Sequence, residues 1–224
     1  MNIFKLSSIL IIVCSLIIIF SCVYSKSSTL KEGLTNNNKV ILMGDSILNN
    51  SNYVPQGNSV YDILQTKIKN ILNVAKDGAT ISDLYGQLEK IPINLNNSET
   101  YIFISAGGNN ILNKHLNGTK LNDDEIRRLF NTYMDFLKAL RSKLGSIKIN
   151  IINLYLPTNP RYQSYKSSVD LWNKLINEHS SKIGEMYNVI DLHSLLTSSN
   201  DFVYNIEPSE IASEKIANII YLTR

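Results

Sequence analysis

Cysteine is nearly absent from the sequence, which has two cysteines among its 224 residues. Both of them, Cys14 and Cys22, lie in an apolar segment near the N-terminus. The rest of the chain therefore has no residues for a disulfide framework or a thiolate metal site. No segment has metal-ligand spacing, and no glycine-rich segment carries the Lys-Ser/Thr of a phosphate-binding loop. We therefore expect a protein that uses no metal and no other cofactor.

A strong charge of either sign is also missing. The formal net charge is +3, charged residues make up 18% of the chain, and Lys and Arg form no cluster. Such a chain lacks the basic footprint of a nucleic-acid-binding protein, so we expect no nucleic acid partner. The length of 224 residues and the apolar content of 44% are enough for one domain with a full hydrophobic core.

A long apolar run occurs at the N-terminus, at residues 9–24. The residues that follow it suit cleavage after Ser25, as in a signal peptide, and the run is also close to the roughly 20 residues that span a bilayer. Residues 1–25 are therefore predicted to be a signal peptide or a signal anchor. A polar linker at residues 26–38 and a domain at residues 39–224 follow. The domain is expected to be secreted or membrane-anchored through the apolar run, outside the cytosol.

Beyond the linker, short apolar segments alternate with segments of helical periodicity. The strands are predicted at residues 39–43, 73–75, 101–104, 147–156 and 189–192. The helices are predicted at residues 59–72, 81–88, 123–144, 167–186 and 209–221. This alternation predicts an α/β protein, a flavodoxin-like three-layer sandwich with a five-stranded parallel sheet.

A Gly-Asp-Ser triplet at residues 44–46 directly follows the first predicted strand. A serine in that position projects from the end of a strand, where a nucleophile is both exposed and rigidly held. Gly78 follows the second predicted strand, Asn109 follows the third, and Glu207 lies between the fifth strand and the last helix. All of these residues fall at the carboxyl edge of the predicted sheet, where ligands of such folds bind.

Three segments carry a resemblance that is fairly specific when they are taken in order. They are Ile41-Leu42-Met43-Gly44-Asp45-Ser46-Ile47, then Asn73 to Leu84, then Ile104-Ser105-Ala106-Gly107-Gly108-Asn109-Asn110. Together they resemble the first three sequence blocks of the SGNH, or GDSL-type, hydrolases. In the third segment Asn110 stands where that family usually has Asp.

The resemblance implies roles for several of these residues. Ser46 would be the nucleophile of an ester hydrolase. The backbone N–H groups of Ser46 and Gly78 and the side-chain amide of Asn109 would form the oxyanion hole. The implied substrate is a small-molecule, glycan or lipid ester, such as an O-acetyl group on a glycan or a lipid acyl ester.

The fourth segment departs from the family, which has Asp-x-x-His-Pro there. This chain has Tyr204 at the Asp position and Glu207 at the His position. Glu207 is the first candidate for the base, because burial raises the pKa of a carboxyl group toward that of a histidine. A second hypothesis gives the role to His115 or His193, oriented by Glu207. A third is that catalysis is lost and the protein only binds a glycan or a lipid at a surface.

Three tyrosines flank Pro157 and Pro160 in the loop after the fourth predicted strand, namely Tyr155, Tyr162 and Tyr165. They are candidates for lining an acyl or sugar pocket, and packing within the loop is an equally good explanation. A small-ligand binder of flavodoxin-like fold, unrelated to esterases, is a further hypothesis. It predicts that Gly78 and Asn109 do not approach Ser46.

Overall fold

The computed structural model describes residues 38–116, 118–182 and 187–224. The predicted leader at residues 1–25 and all but the last residue of the linker lie outside these ranges. Within them, no helix is both long enough and apolar enough to cross a membrane. The described residues all belong to one compact unit.

One parallel sheet is at the centre of this unit. Its strands are β1 (Lys39–Met43), β2 (Ile71–Asn73), β3 (Thr100–Ser105), β4 (Lys148–Ile152) and β5 (Tyr187–Ile190). They pair in the order β2-β1-β3-β4-β5. This is the flavodoxin-like order, in which the chain changes direction across the sheet between β1 and β3. A ligand site is therefore expected beside the carboxyl ends of these two strands.

Helices cover both faces of the sheet. They are α1 (Val60–Lys67), α2 (Asp83–Glu89), α3 (Gly108–Leu116), α4 (Asp123–Lys143), α5 (Lys166–Lys182), the single turn α6 (Leu192–Leu195) and α7 (Glu210–Thr223). Short 3-10 turns occur at Ile93–Leu95, Pro160–Tyr165 and Ser199–Asp201. A two-stranded antiparallel hairpin, β6 (Phe202–Val203) and β7 (Glu207–Pro208), precedes α7.

Alternating side chains of the strands supply two separate cores. Along β1, Ile41 and Met43 join the core that α2, α3, α4 and α5 cover. Val40 and Leu42 point to the opposite face and join the core that α1 and α7 cover. This period of two is what a strand buried on both faces requires. The α/β prediction of a five-stranded parallel sheet between two helical layers is confirmed.

The structure differs from the sequence-based prediction at several element boundaries and in one helix. The helix predicted at residues 59–72 ends at Lys67, and Ile71 and Leu72 belong to β2 instead. They pair with Val40 and Ile41 of β1, so the hydrogen bonds of the sheet outweigh the helical periodicity of this stretch. The helix α3 was not predicted at all, because it begins at Gly108, the second residue of a glycine pair that indicates a turn.

Candidate active site

Gly44 lets the chain leave β1 directly against the end of β3. Its φ is +127°, and a Cβ atom at this position would lie 2.0 Å from the carbonyl oxygen of Ser105. The N–H of Gly44 donates to Oε1 of Gln87, and the Nε2 of Gln87 donates to the carbonyl oxygen of Gly44, both at 2.8 Å. Only glycine fits here. Contacts with Ser105 and Gln87 therefore hold the first residue of the loop that carries Ser46 in place.

The buried carboxyl group of Asp45 stabilises the next turn. Its Oδ1 accepts hydrogen bonds from the hydroxyl of Ser105 at 2.7 Å and from the N–H of Ile47 at 3.1 Å. Burial raises the pKa of Asp45, and the hydrogen bonds from Ser105 and Ile47 oppose that rise. The side chain of Asp45 thus stabilises the loop on both sides of Ser46.

Glu207 reaches the site on the hairpin rather than on an irregular loop. In the hairpin, Val203 pairs with Glu207, and the N–H of Ile206 donates to the carbonyl oxygen of Val203 at 3.2 Å. The two residues of the turn, Tyr204 and Asn205, both have positive φ, at 49° and 71°. Such a turn matches the twist of the paired strands, but a positive φ is rare for tyrosine. Tyr204 is 71% exposed.

The side chains of Ser46 and Glu207 line one cavity. Ser46 is 8% exposed and is one of the residues that line the cavity. Burial raises the pKa of Glu207, interaction with the Ser46 hydroxyl lowers it, and the negative charges of Asp77 and Asp45 raise it again. The net direction is upward. Among the described residues, Oε2 of Glu207 has no hydrogen-bond partner although it is buried.

Asn109 lines the same cavity as Ser46 and Glu207. It lies in the first turn of α3, just after Gly107, whose φ of +97° places the chain against the ring of Trp172. The Nδ2 of Asn109 donates one hydrogen bond to the carbonyl oxygen of Ala79 at 3.0 Å. A side-chain amide nitrogen carries two hydrogens, so one remains for a ligand.

Gly78 lies in a turn next to this amide and does not itself line the cavity. The N–H of Ala79 closes the turn onto the carbonyl oxygen of Lys76 at 3.1 Å, and Gly78 takes a φ of +72°. No atom lies within 4 Å of where its Cβ would be. The bond from Asn109 to Ala79 connects this turn to the site, so the structure brings Ser46, Asn109 and Glu207 together and keeps Gly78 beside them.

The histidines have other surroundings. The backbone N–H of His193 donates to Asn153 at 3.1 Å, and its charge acts on Asp191. Its Nδ1 is buried without a partner among the described residues, and it does not line the cavity. The side chain of His115 lies outside the described residues. Among the described side chains that line the cavity, Glu207 is the titratable group whose pKa the Ser46 hydroxyl affects.

A second pair near Glu207 had no sequence signal of its own. The hydroxyl of Tyr53 donates to Oδ2 of Asp77 at 2.6 Å, and the Tyr53 ring meets the Tyr204 ring edge-on, with centroids 5.9 Å apart. That hydrogen bond, then burial, then the charge of Glu207 raise the pKa of Tyr53. Asp77 directly precedes Gly78, but nothing in the sequence pointed to its pairing with a residue 24 positions earlier.

The rest of the cavity is apolar. Besides the backbone of Gly108 and the side chains of Asp45, Ser46, Asn109 and Glu207, eleven residues line it: Ile47, Ile111, Leu112, Leu154, Tyr155, Leu156, Pro157, Tyr162, Tyr165, Val169 and Ile206. The three tyrosines flanking the two prolines are therefore pocket residues as well as packing residues. No group of three or more His, Cys, Asp or Glu side chains in the described part of the chain could hold a metal ion.

Comparison with known proteins places the chain in a family. A family model described as GDSL-like Lipase/Acylhydrolase matches residues 40–218, which is most of the chain. The resemblance of the sequence segments to this family is thereby confirmed. No curated protein is significantly similar to the chain.

Several solved structures share the fold. A member of the lipolytic protein G-D-S-L family from Veillonella parvula is 18% identical, with a TM-score of 0.63 over 83% of this chain and 98% of that chain. The acetyl xylan esterase AlAXEase is 17% identical, with a TM-score of 0.59 over 83% and 98%. The psychrotrophic esterase EstA from Pseudoalteromonas, solved in a form inhibited by monoethylphosphonate, is 16% identical, with a TM-score of 0.57 over 83% and 95%.

Proposed function

Because the chain belongs to the GDSL-like lipase/acylhydrolase family, we propose that it hydrolyses an ester through an acyl-enzyme intermediate on Ser46. One observation carries this proposal. The side chains of Ser46 and Glu207 line the same cavity, and the Ser46 hydroxyl acts on the pKa of the Glu207 carboxyl. A nucleophile next to a base in a cavity is the arrangement that covalent ester hydrolysis requires.

In the first half of the reaction, Oγ of Ser46 attacks the carbonyl carbon of the ester while Glu207 takes the hydroxyl proton. The carbonyl oxygen becomes an oxyanion, which the N–H of Ser46 and the amide of Asn109 stabilise at the cavity wall. Gly78 lies in the adjacent turn, and its N–H stays a predicted third donor. Each such donor is worth roughly 3–4 kcal/mol in the transition state. The bond to the alcohol then breaks, and Glu207 returns its proton to the leaving oxygen.

In the second half, water replaces the alcohol. Glu207 takes a proton from the water as its oxygen attacks the acyl carbon. The bond from the acyl carbon to Ser46 breaks, and the proton on Glu207 returns to Oγ of Ser46. The balance is one ester and one water consumed, and one carboxylic acid and one alcohol released.

The environment of Glu207 suits it to the role of base. An ordinary glutamate has a pKa of about 4.3, roughly two units below histidine, and is a correspondingly weaker base. Burial and the neighbouring carboxylates raise the pKa of Glu207. This narrows the difference in pKa from histidine, so Glu207 is a stronger base than an ordinary glutamate.

The proposed substrates are an O-acetyl group on a glycan or a lipid acyl ester. The acetyl xylan esterase among the structural neighbours supports the first class, and the description of the family supports the second. We also propose that the domain acts outside the cytosol, secreted or anchored through residues 9–24. The apolar run in the sequence supports this location, and cell fractionation with N-terminal sequencing tests it.

A fluorophosphonate tests the chemistry without knowledge of the substrate. The full chain in mild detergent is treated with the probe, and the modified peptide is identified by mass spectrometry. We expect labelling on Ser46 that is abolished in Ser46→Ala, is slowed strongly in Glu207→Gln, and persists in His115→Ala and His193→Ala. Absence of labelling in a sample shown to be folded would contradict the proposal and favour a binding protein.

A further inference from the structure

Ser46 and Glu207 reach the cavity from opposite ends of the domain's sequence, so their separation depends on how two segments are held together. The turn that carries Ser46 is closed by the N–H of Asn49, which donates to the carbonyl oxygen of Asp45 at 3.1 Å. Glu207 lies in β7 of the hairpin. A misplacement of about 1 Å can lower the rate of a reaction about 10²-fold. A residue that joins the turn to the hairpin would therefore affect the rate without touching the substrate.

The side chain of Asn50 joins these two segments. Asn50 directly follows the turn that carries Ser46, and it is 0% exposed. Its Nδ2 donates to the carbonyl oxygen of Pro208, the residue after Glu207, at 3.2 Å. The two bonded residues are 158 positions apart in the sequence, so no local pattern indicates the bond. A side chain next to the nucleophile thus holds the backbone next to the base.

The amide of Asn50 also binds two helices. Its Nδ2 donates to Oγ of Ser213 in α7 at 2.6 Å, and its Oδ1 accepts from the N–H of Val60, the first residue of α1, at 3.0 Å. The first N–H groups of a helix have no partner within the helix, and Asn50 satisfies one of them. Side chains of α1 and α7 belong to the same core. Asn50 therefore attaches the turn to both of these helices as well as to the hairpin.

The hairpin is bonded to α7 at its base. The carbonyl oxygen of Asp201, which precedes β6, accepts from the N–H of Ser209, the N-cap of α7, at 2.9 Å. The buried carboxyl group of Asp201 accepts from Nζ of Lys215 at 2.6 Å. Both bonds lie within residues 201–215. The placement of this segment against the turn of Ser46 therefore needs a contact from outside it, such as the bonds from Asn50.

The two donors of the Asn50 amide are both used inside the protein. A side-chain amide nitrogen carries two hydrogens, and here it has two acceptors, the carbonyl oxygen of Pro208 and Oγ of Ser213. Asn50 is not one of the residues that line the cavity. Its contribution to the reaction is therefore through the position of Glu207 and not through contact with the substrate.

We propose that Asn50 is a positioning residue, which holds Glu207 at the separation from Ser46 that proton transfer requires. The effect on catalysis rests on the proposed function, in which Glu207 is the base. The placement of Glu207 in the cavity by Asn50 rests on the hydrogen bonds alone, so the two can be tested separately.

A double-mutant cycle separates positioning from a general loss of structure. Asn50→Ala should lower kcat for p-nitrophenyl acetate by about 10- to 10²-fold and change KM less than about threefold, because a misplaced base slows the chemical step and leaves the cavity wall intact. In the Glu207→Gln background the same substitution should change kcat less than about threefold, because the group that Asn50 positions is already absent. Equal losses of kcat in the two backgrounds would overturn the inference.

Asn150 provides the matched control. It is a buried asparagine of β4 whose Nδ2 donates to the carbonyl oxygen of Ile102 and whose Oδ1 accepts from Asn188, both at 3.3 Å, and it does not line the cavity. Asn150→Ala should lower the melting temperature, as Asn50→Ala does, with kcat within about threefold of the wild-type value. An equal loss of kcat in both variants would count against a specific role of Asn50. If Asn50→Ala does not fold, Asn50→Leu repeats the test, because leucine has nearly the shape of asparagine and none of its hydrogen bonds.

A titration of Glu207 tests its placement without any ester. The carboxyl carbon is followed by ¹³C NMR and assigned by its absence in Glu207→Gln. Burial is the largest cause of the raised pKa of Glu207, so a displaced hairpin should lower that pKa toward the ordinary value of about 4.3. We expect this shift in Asn50→Ala and not in Asn150→Ala. Both variants keep Asp45 and Asp77, whose charges also act on Glu207.

The titration distinguishes failure of this inference from failure of the proposed function. An unshifted pKa of Glu207 in Asn50→Ala would overturn the inference even if the protein is an active esterase. A shifted pKa would support the placement of Glu207 by Asn50 even in a protein that hydrolyses no ester, or whose kcat does not depend on Glu207. That second result would contradict the proposed function alone.

Discussion

The side chains of Ser46 and Glu207 line the same cavity, and the Ser46 hydroxyl lowers the pKa of the Glu207 carboxyl, which burial raises. Ser46 follows the first strand of the sheet, and Glu207 lies on a hairpin just before the last helix. A carboxylate and an imidazole titrate in different pH ranges. The identity of this residue therefore determines how activity depends on pH, and the pH profile becomes the most direct test of its role.

Replacing Glu207 should change both the rate and the pH profile of ester hydrolysis. Glu207→Gln removes the base, so we expect kcat/KM to fall by about 10²–10⁴. Glu207→His should retain activity, with the acidic limb of the kcat/KM profile shifted to higher pH, toward the ordinary histidine pKa of about 6.5. An unchanged limb in Glu207→His would show that another group is the base.

Asp77 should influence the acidic limb of the pH profile of kcat/KM through its charge. Its negative charge raises the pKa of Glu207, so Asp77→Asn should shift the acidic limb to lower pH. Asparagine keeps an oxygen that can accept the hydrogen bond from Tyr53, so the loop should stay in place. Asp83→Asn, in the helix that follows, is the matched control, because Asp83 is bound to Thr80 and does not act on Glu207. An equal shift in both variants would refute a specific effect of Asp77.

Two adjacent asparagines should separate catalysis from loop stability. Asn109 bonds to Ala79 and lines the cavity, whereas the Oδ1 of Asn110 accepts from the N–H of Ile81 at 3.1 Å and does not line it. We expect Asn109→Ala to lower kcat by about 10²–10³, the effect of removing one oxyanion donor. Asn110→Ala should lower the melting temperature with a much smaller change in kcat. Equal losses of kcat would mean that both residues act only through the loop.

Gly44 should be far less tolerant of alanine than another glycine of positive φ. A Cβ at Gly44 would overlap the backbone of Ser105, so Gly44→Ala should cost about 3 kcal/mol or more in free energy of unfolding. Gly57 has a φ of +90° and no atom within 4 Å of its Cβ position, so Gly57→Ala should cost only about 1–2 kcal/mol from its backbone conformation. Urea denaturation of both variants measures the difference, and similar costs would contradict the close approach of β1 and β3.

The free energy of unfolding should also reveal the raised pKa of Glu207. A carboxyl group whose pKa is higher in the folded state contributes its full stability below the unfolded pKa, and this contribution is lost as the pH rises through the folded pKa. Glutamine does not titrate, so the Glu207→Gln variant does not lose stability in this way as the pH rises. The variant should therefore gain stability relative to the wild-type protein as the pH is raised from 4 to 8. A constant difference between the two proteins over this range would show that the pKa of Glu207 is not raised by folding.

The sequence alone determined the layered α/β fold and the edge at which the chemistry lies. Buried strands and amphipathic helices have different apolar periods, and glycine after a strand indicates a turn, so these features are visible in local patterns. The N-caps at Asn122 and Ser209 are features of the same local kind, since a capping side chain acts within one helical turn.

Only the tertiary structure decided how the site is assembled. Where α1 ends and β2 begins depends on pairing with β1, and the bond between Tyr53 and Asp77 joins two loops. The hairpin that brings Glu207 to Ser46 depends on two residues of positive φ, one of them a tyrosine that no local rule would place there. Hydrogen bonds and apolar contacts between residues distant in sequence set these features. The free energy of these long-range interactions depends on how the whole chain packs, so it cannot be read from a local sequence pattern.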